Sequence, residues 1–415
     1  MSTLRAALAA AALAAVAVAA QAQTSVTLYG IADGGFSHVI GQDAAKNRVV
    51  SGVMEGSRWG LRGNEDLGGG FRAVFTLENR FEVDTGELSN RPPSGTQLPE
   101  RFTSATALGL TQAYQPVVTA LGQRYAEDRL GVNLEGRYFD RQAFVGLVTP
   151  VGAVLMGRQY TPAYEVSATF ETMHTESSLA FGQIAAFPPS LEIRTSDTLA
   201  YRIQLGDFTA SAMYGFGEGS IDNGRMIAAM AMYKTPDWGV GAAYQTRENE
   251  FGDKALTNAV LGAYAALGPG TLWTEYINIK DDHPSGLQEG RDILLGLGFD
   301  SKVIVDPVID AFSEALRQDA NAYHVGYSLN RGPHTLSVAF SYFDDRRPLD
   351  ADVASYGAVY TYAFSKRTDV SFVLTRFDNS DTAQVAPGQA GFYGGFASEP
   401  GEDVLSTAIG IRHRF

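Results

Sequence analysis

From residue 25 to the end of the chain, apolar and polar positions alternate with a period of two, the repeat that sends successive side chains of a strand to opposite faces. Phe208, Ala210, Ala212, Tyr214 and Phe216 share one face, while Thr209, Ser211, Met213 and Gly215 share the other. Tyr323, Val325, Tyr327 and Leu329 repeat the pattern, as do Leu336, Val338, Phe340 and Tyr342. The second face is small and polar. Alternation alone fits both a soluble sandwich and a membrane barrel. Aromatic residues at strand ends, namely Tyr29, Tyr160, Tyr233, Tyr244, Tyr276, Tyr342, Phe343, Tyr356 and Phe364, favour two interfacial girdles and hence the barrel.

Short and long connections follow one another in turn. Tight turns rich in Gly, Pro, Asp or Asn fall at 67–70, 149–152, 205–207, 235–239, 268–270, 330–334 and 365–368. Seven hairpins give fourteen strands, and 25–39 with 404–415 bring the total to sixteen. The predicted fold is therefore all-β: a transmembrane antiparallel barrel of 16 strands with both termini on the short-turn side. Residues 292–299 and 302–308 also read as strands, ahead of Ile309, Phe312 and Leu316 at helical spacing. They are assigned to a hairpin and helix within a long outer loop; as crossing strands they would make the number 18.

Composition sharpens this picture. The chain of 415 residues has 45 Gly, 23 Phe and 19 Tyr, a mixture suited to a large β structure. Without Cys it has no disulfide framework and no thiolate metal site, and a formal charge of −14 argues against nucleic acid as a partner. Arg5, the apolar run 6–20 and Ala20-Gln21-Ala22 read as a signal peptide, residues 1–22, leaving one domain, 23–415. Elsewhere the longest apolar runs, 226–233 and 259–267, are far shorter than the eighteen residues of a membrane helix.

Several motifs resemble those of the general porins of Gram-negative bacteria, in particular the β-proteobacterial type. They are Ser25-Val-Thr-Leu-Tyr-Gly30, Ser57-Arg-Trp-Gly-Leu-Arg-Gly63 followed by Glu65-Asp-Leu-Gly68, Phe139-Asp-Arg-Gln-Ala-Phe-Val-Gly146, Gly157-Arg-Gln-Tyr-Thr-Pro162 and the terminal Arg412-His-Arg-Phe415. The resemblance covers the whole mature chain in order. It implies a homotrimer in the outer membrane, in contact with the lipid bilayer and lipopolysaccharide. Each barrel would fold its third outer loop, about 160–194, inward to narrow a water-filled channel for ions and small hydrophilic solutes. This chain departs from that pattern in two outer loops, about 84–137 and 281–320, both longer than the family suggests.

Passive diffusion needs fixed charges around water and neither nucleophile nor cofactor. Trp59 and Leu61 in the outward phase leave Arg58 and Arg62 inward, and Phe71, Phe75 and Leu77 likewise leave Arg72, Thr76, Glu78 and Arg80 inward. Leu155 and Gly157 are read as outward, which turns Arg158 in. An arginine at the lipid midplane would cost about 2–4 kcal/mol. These arginines form a candidate basic wall, with Arg58, Arg80 and Arg158 foremost by resemblance, facing Glu165, Glu171 and Glu176 on the inward loop. Phe415, in outward phase with Ile409, Ile411 and His413, resembles a C-terminal signal for membrane insertion.

None of the six His residues sits in a catalytic motif and no G-x-S-x-G occurs, so an enzyme is not expected. Asp281-Asp282-His283 and Asp344-Asp345 lack a Ca²⁺-loop spacing, so no metal site is assigned. A substrate-selective channel is the nearer alternative, and the two long loops keep an adhesin or partner-binding barrel as a third.

Overall fold

The computed structural model describes residues 25–42, 46–92, 94–184, 188–217, 224–389 and 393–415. The expected signal peptide lies outside the described residues. In chain order the strands are β1 (Ser25–Ile40), β2 (Asn47–Ser51), β3 (Arg58–Gly68), β4 (Phe71–Arg80), β5 (Gln142–Thr149), β6 (Gly152–Tyr160), β7 (Arg194–Leu205), β8 (Phe208–Gly215), β9 (Met226–Lys234) and β10 (Trp238–Glu248). They continue as β11 (Lys254–Leu267), β12 (Gly270–Asp281), β13 (Gln318–Arg331), β14 (His334–Asp345), β15 (Val353–Ala363), β16 (Thr368–Asn379), a small hairpin β17 (Ala386–Gln389) and β18 (Tyr393–Gly395), and β19 (Val404–Arg414).

Every barrel strand pairs antiparallel with its neighbours, and β1 closes the sheet on β19, with Ile31 opposite Arg414 and Ile40 opposite Leu405. The result is a closed 16-stranded barrel with one extra strand, since β2 covers the upper half of β1 while β3 covers the lower half. All seven tight turns fall at the predicted positions. No helix among the described residues is long and apolar enough to cross a membrane.

The outward phase is apolar and exposed around the barrel: Leu28, Phe36, Val145, Met156, Leu199, Ile227, Leu261, Val338, Phe372 and Ile411 all face away from the lumen. Tyr233, Tyr244, Tyr356 and Phe364 lie exposed with them, as a girdle requires. Tyr29 and Tyr160 do not belong to it. Their hydroxyls reach into the lumen, Tyr29 bonding Glu78 at 2.9 Å and Tyr160 accepting from Arg141 at 3.0 Å.

Among the described residues four α-helices belong to the long outer loops: α1 (Gln115–Arg129), α2 (Pro162–Phe170), α3 (Leu287–Gly296) and α4 (Asp306–Leu316). The expected hairpin over 292–308 is overturned. Leu294, Val305, Val308, Ile309 and Phe312 instead bury one side of a helical segment, and Pro307 stands in the first turn of α4. Short apolar runs have no period of their own to tell strand from helix, which is why the sequence misleads here.

This segment has an unexpected partner. Leu98, Phe102, Val118, Leu121, Tyr125 and Leu130, from the loop between β4 and β5, join it in a hydrophobic core that also takes in Phe396 from the loop after β16. The Tyr125 and Phe312 rings lie 5.4 Å apart. Loop β4–β5 and loop β12–β13 leave the barrel eight strands apart, on opposite sides of its mouth. A core shared between them must bridge the opening, so the long loops build a roof.

Candidate functional site

The loop after β6 enters the lumen. Thr161 caps α2 through a 3.2 Å bond from the Tyr164 amide, and Pro162 fixes the first helical turn. α2 then packs along β8 to β12. Its anchor is Phe170, fully buried on Gly241 and Gly262, where an added Cβ would lie 2.2–2.3 Å from atoms of this side chain. Only glycine leaves room for the ring. The backbone next turns on Glu171, whose carboxylate accepts from Met173 (3.1 Å), Thr175 (2.6 Å) and Phe181 (3.4 Å) amides. Thr172 bonds His324 of β13, and Ser178 bonds Thr375 of β16. The loop ends its crossing on the turn before β3, where the Ser177 amide donates to the Met54 carbonyl.

This path explains the two longest apolar runs. In β9, Met226, Ala228, Met230 and Met232 are buried toward the lumen, while Ile227, Ala229, Ala231 and Tyr233 face outward. Both phases are apolar because lipid covers one and the loop, together with its own β-wall neighbours, covers the other.

Between the loop and the uncovered wall lies a water-accessible space of about 410 Å³. The wall supplies Arg58, Arg141, Arg202 and Lys234; the loop supplies Tyr164, Glu165, His174, Thr175 and Glu176; and the turn before β3 supplies Glu55. His174, Thr175 and Ser177 have φ of 51°, 67° and 66°, the left-handed region, which bends the loop so that 174–176 face the water. Charges are paired across and along the space. Arg58 meets Glu55 at 2.5 Å, Arg141 meets Glu78 at 2.8 Å and Arg202 meets Glu165 at 2.6 Å. Arg412 bonds Glu55 at 2.9 Å, Glu176 at 2.8 Å and Asp369 at 3.2 Å.

Burial pushes the carboxyls of the loop upward: Glu171 to about 7 against its three amide donors, and Glu165 in the same direction against Arg202. His174 moves down for the same reason.

The predicted residues divide among several places. Arg58, Glu165 and Glu176 line the space. Arg62 is in the lumen phase with its guanidinium 4.0 Å from the Tyr29 ring centre, and Arg72 is exposed opposite Asp66, beside the 67–70 turn. Arg80 has the predicted phase but is fully buried, paired with Glu82. Glu171 turns into the wall as the knot of the loop.

Arg158 corrects the expected phase. Leu155 and Gly157 stand opposite Ala200 and Thr198 on the lumen side, while Met156 is outward and Arg158 follows it. A β-bulge between Gly157 and Gln159 then holds the Arg158 guanidinium at the rim, on the Asp140 carbonyl (2.5 Å) and Ser196 hydroxyl (2.8 Å). Val154-Leu155-Met156 is apolar throughout, so alternation could not set the phase.

Sequence reasoning missed Arg141, Arg202, Lys234 and Arg412. Arg202 and Arg412 were within reach, since Tyr201 and Ile411 mark the outward phase beside them. Phe415 is on the outer face as predicted, its ring against Gly30 and its backbone bonded to Gly30 in both directions at 3.0 and 3.2 Å.

Comparison with known proteins places this geometry. The family described as Gram-negative porin matches residues 9–382. An outer membrane porin protein of Bordetella pertussis is 27% identical over 457 aligned positions, covering 98% of this chain and 99% of that one. Outer membrane porin protein 32 of Delftia acidovorans is 24% identical over 408 residues, 95% of each. Among solved structures, the anion-selective porin from Comamonas acidovorans shares the fold with a TM-score of 0.66 at 22% identity, over 95% of this chain and all of that one.

Proposed function

This chain belongs to the Gram-negative porin family, an outer-membrane diffusion channel rather than an enzyme, and we propose that the space under its third outer loop is the constriction that sorts its solutes. The single observation that carries this reading is the facing arrangement: Arg58, Arg141, Arg202 and Lys234 on the wall against Glu165 and Glu176 on the loop. Such opposed charges set a field across the water that orients dipolar solutes and holds water against apolar ones.

Four cations and three carboxylates (Glu55, Glu165, Glu176) border the space, a balance of one positive charge (4 − 3), so a mild preference for anions follows despite the chain's −14 total. The Comamonas protein is named for anion selectivity, which supports this sign. We assign Phe415 the role of insertion signal and three barrels to each assembly, both on family grounds.

The test is reversal potential in a KCl gradient across a planar bilayer. Replacing Arg58, Arg141 and Arg202 with Gln should move selectivity toward cations; an unmoved potential would remove them from the constriction. Conductance rising in three equal steps per insertion event checks the trimer.

A further inference from the structure

Resting on the channel reading above, the geometry points to a second solute site, upstream of the constriction: a chamber between the roof and the barrel rim that binds small aromatic carboxylates. Its volume is about 400 Å³, within the range of small-molecule sites. One side is apolar. Leu191, Leu256 and, from α4, Leu316 line it with part of their surface free, backed by Leu98, Phe102 and Phe312 of the core that the two longest loops share.

The rest of the lining is charged, five arginines (Arg129, Arg137, Arg158, Arg194, Arg247) beside five carboxylates (Asp128, Glu135, Asp140, Glu192, Asp281), and the cations are not equivalent. Arg247 is held by both oxygens of Glu192, at 2.5 and 2.7 Å, and Arg137 pairs with Glu135. Arg158 donates only to a backbone carbonyl and a hydroxyl, and among the described residues no carboxylate forms an ion pair with it. A half-buried guanidinium with neutral acceptors alone gains from a carboxylate that reaches it, because charge-assisted bonds are about twice as strong as neutral ones. The ring of the same solute would then lie on the apolar side. The site also stands on the route inward: Arg194 lines the chamber with its guanidinium over the ring of Tyr160, and Tyr160 borders the constriction.

Single-channel recording of the full-length protein in a planar bilayer tests this, with phenylacetate added to the loop side and acetate and benzyl alcohol as single-feature controls. Phenylacetate should interrupt the current at concentrations about tenfold lower than either control, as a charged hydrogen bond and a buried ring each contribute. Arg158→Gln should weaken the block about tenfold, Arg158→Lys should retain most of it, and Leu316→Asn should weaken it severalfold. Equal block by acetate and phenylacetate, full block in R158Q, or block from the turn side only would each overturn the chamber. An open channel indifferent to phenylacetate would overturn the chamber and spare the diffusion reading, whereas a protein that passes no current would bring down both.

Discussion

The inner wall from β9 to β16 and the inner wall from β3 to β7 are made from strands of the same alternating kind, yet, Lys234 at its margin aside, the first is mostly apolar or neutral with Glu275 and Asp369 buried in it, while the second presents charge to water. Met230, Met232, Val260, Ile277, Ala322 and Val373 line the first. Arg58, Arg62, Glu78 and Arg202 line the second. What differs is the neighbour. The first wall is covered by the third loop and packs as a protein core, whereas the second faces water that solvates its charges at little cost. This barrel therefore has two interiors, one packed and one open to water.

The strongest way to break this division is to detach the loop. Phe170→Ala removes its fully buried anchor, at a cost of about 3–5 kcal/mol. Conductance should rise and become noisy while the barrel remains resistant to detergent at room temperature; a current equal to that of the parent would mean the loop is held elsewhere. A smaller effect is expected on the charged side. Arg412→Met leaves Glu55, Glu176 and Asp369 to share Arg414, with Arg58 still on Glu55, and because these cations remain and Glu55 and Glu176 touch water the loss is about 2 kcal/mol. Thermal unfolding in detergent should show a lower midpoint, and added salt should recover part of the difference.

The mildest perturbation is pH. Burial raises Glu171 from 4.5 to about 7, so the loop's stability is complete below about 4.5 and declines as pH rises through 7, by about 1 kcal/mol per pH unit at most. Protection factors for amide exchange at Met173, Thr175 and Phe181, in which the base-catalysed rise of intrinsic exchange is divided out, should thus be highest in acid and fall toward pH 8. Glu171→Gln should flatten that profile; a slope unchanged in E171Q would assign it to another group.

Much of this was legible in the chain, for reasons that also mark where legibility stops. Strand phase placed Arg58, Arg62 and Arg72 in the lumen because Trp59, Leu61, Phe71 and Phe75 alternate cleanly beside them. Turn chemistry located the seven inner hairpins, since Gly206, Gly268 and Gly332 occupy left-handed backbone there. The same logic fails where both phases are apolar, as at Val154-Leu155-Met156 before the bulge that redirects Arg158, and where apolar runs of 292–308 belong to helices. Depth is also invisible to phase: Arg80 faces inward as expected, yet it is sealed beneath Glu82 rather than bathed by the pore. Arg141 stood inside a motif that already carried the family resemblance, just ahead of β5, where no alternation reports on it.

The seam of the barrel has a bearing on biogenesis. Phe415 exchanges both backbone bonds with Gly30 and rests its ring there, while β19 aligns along the upper part of β1. Closure therefore waits for β19 and the aromatic that follows it: a nascent or truncated polypeptide keeps two raw edges, and something else must shield them on the way to the membrane.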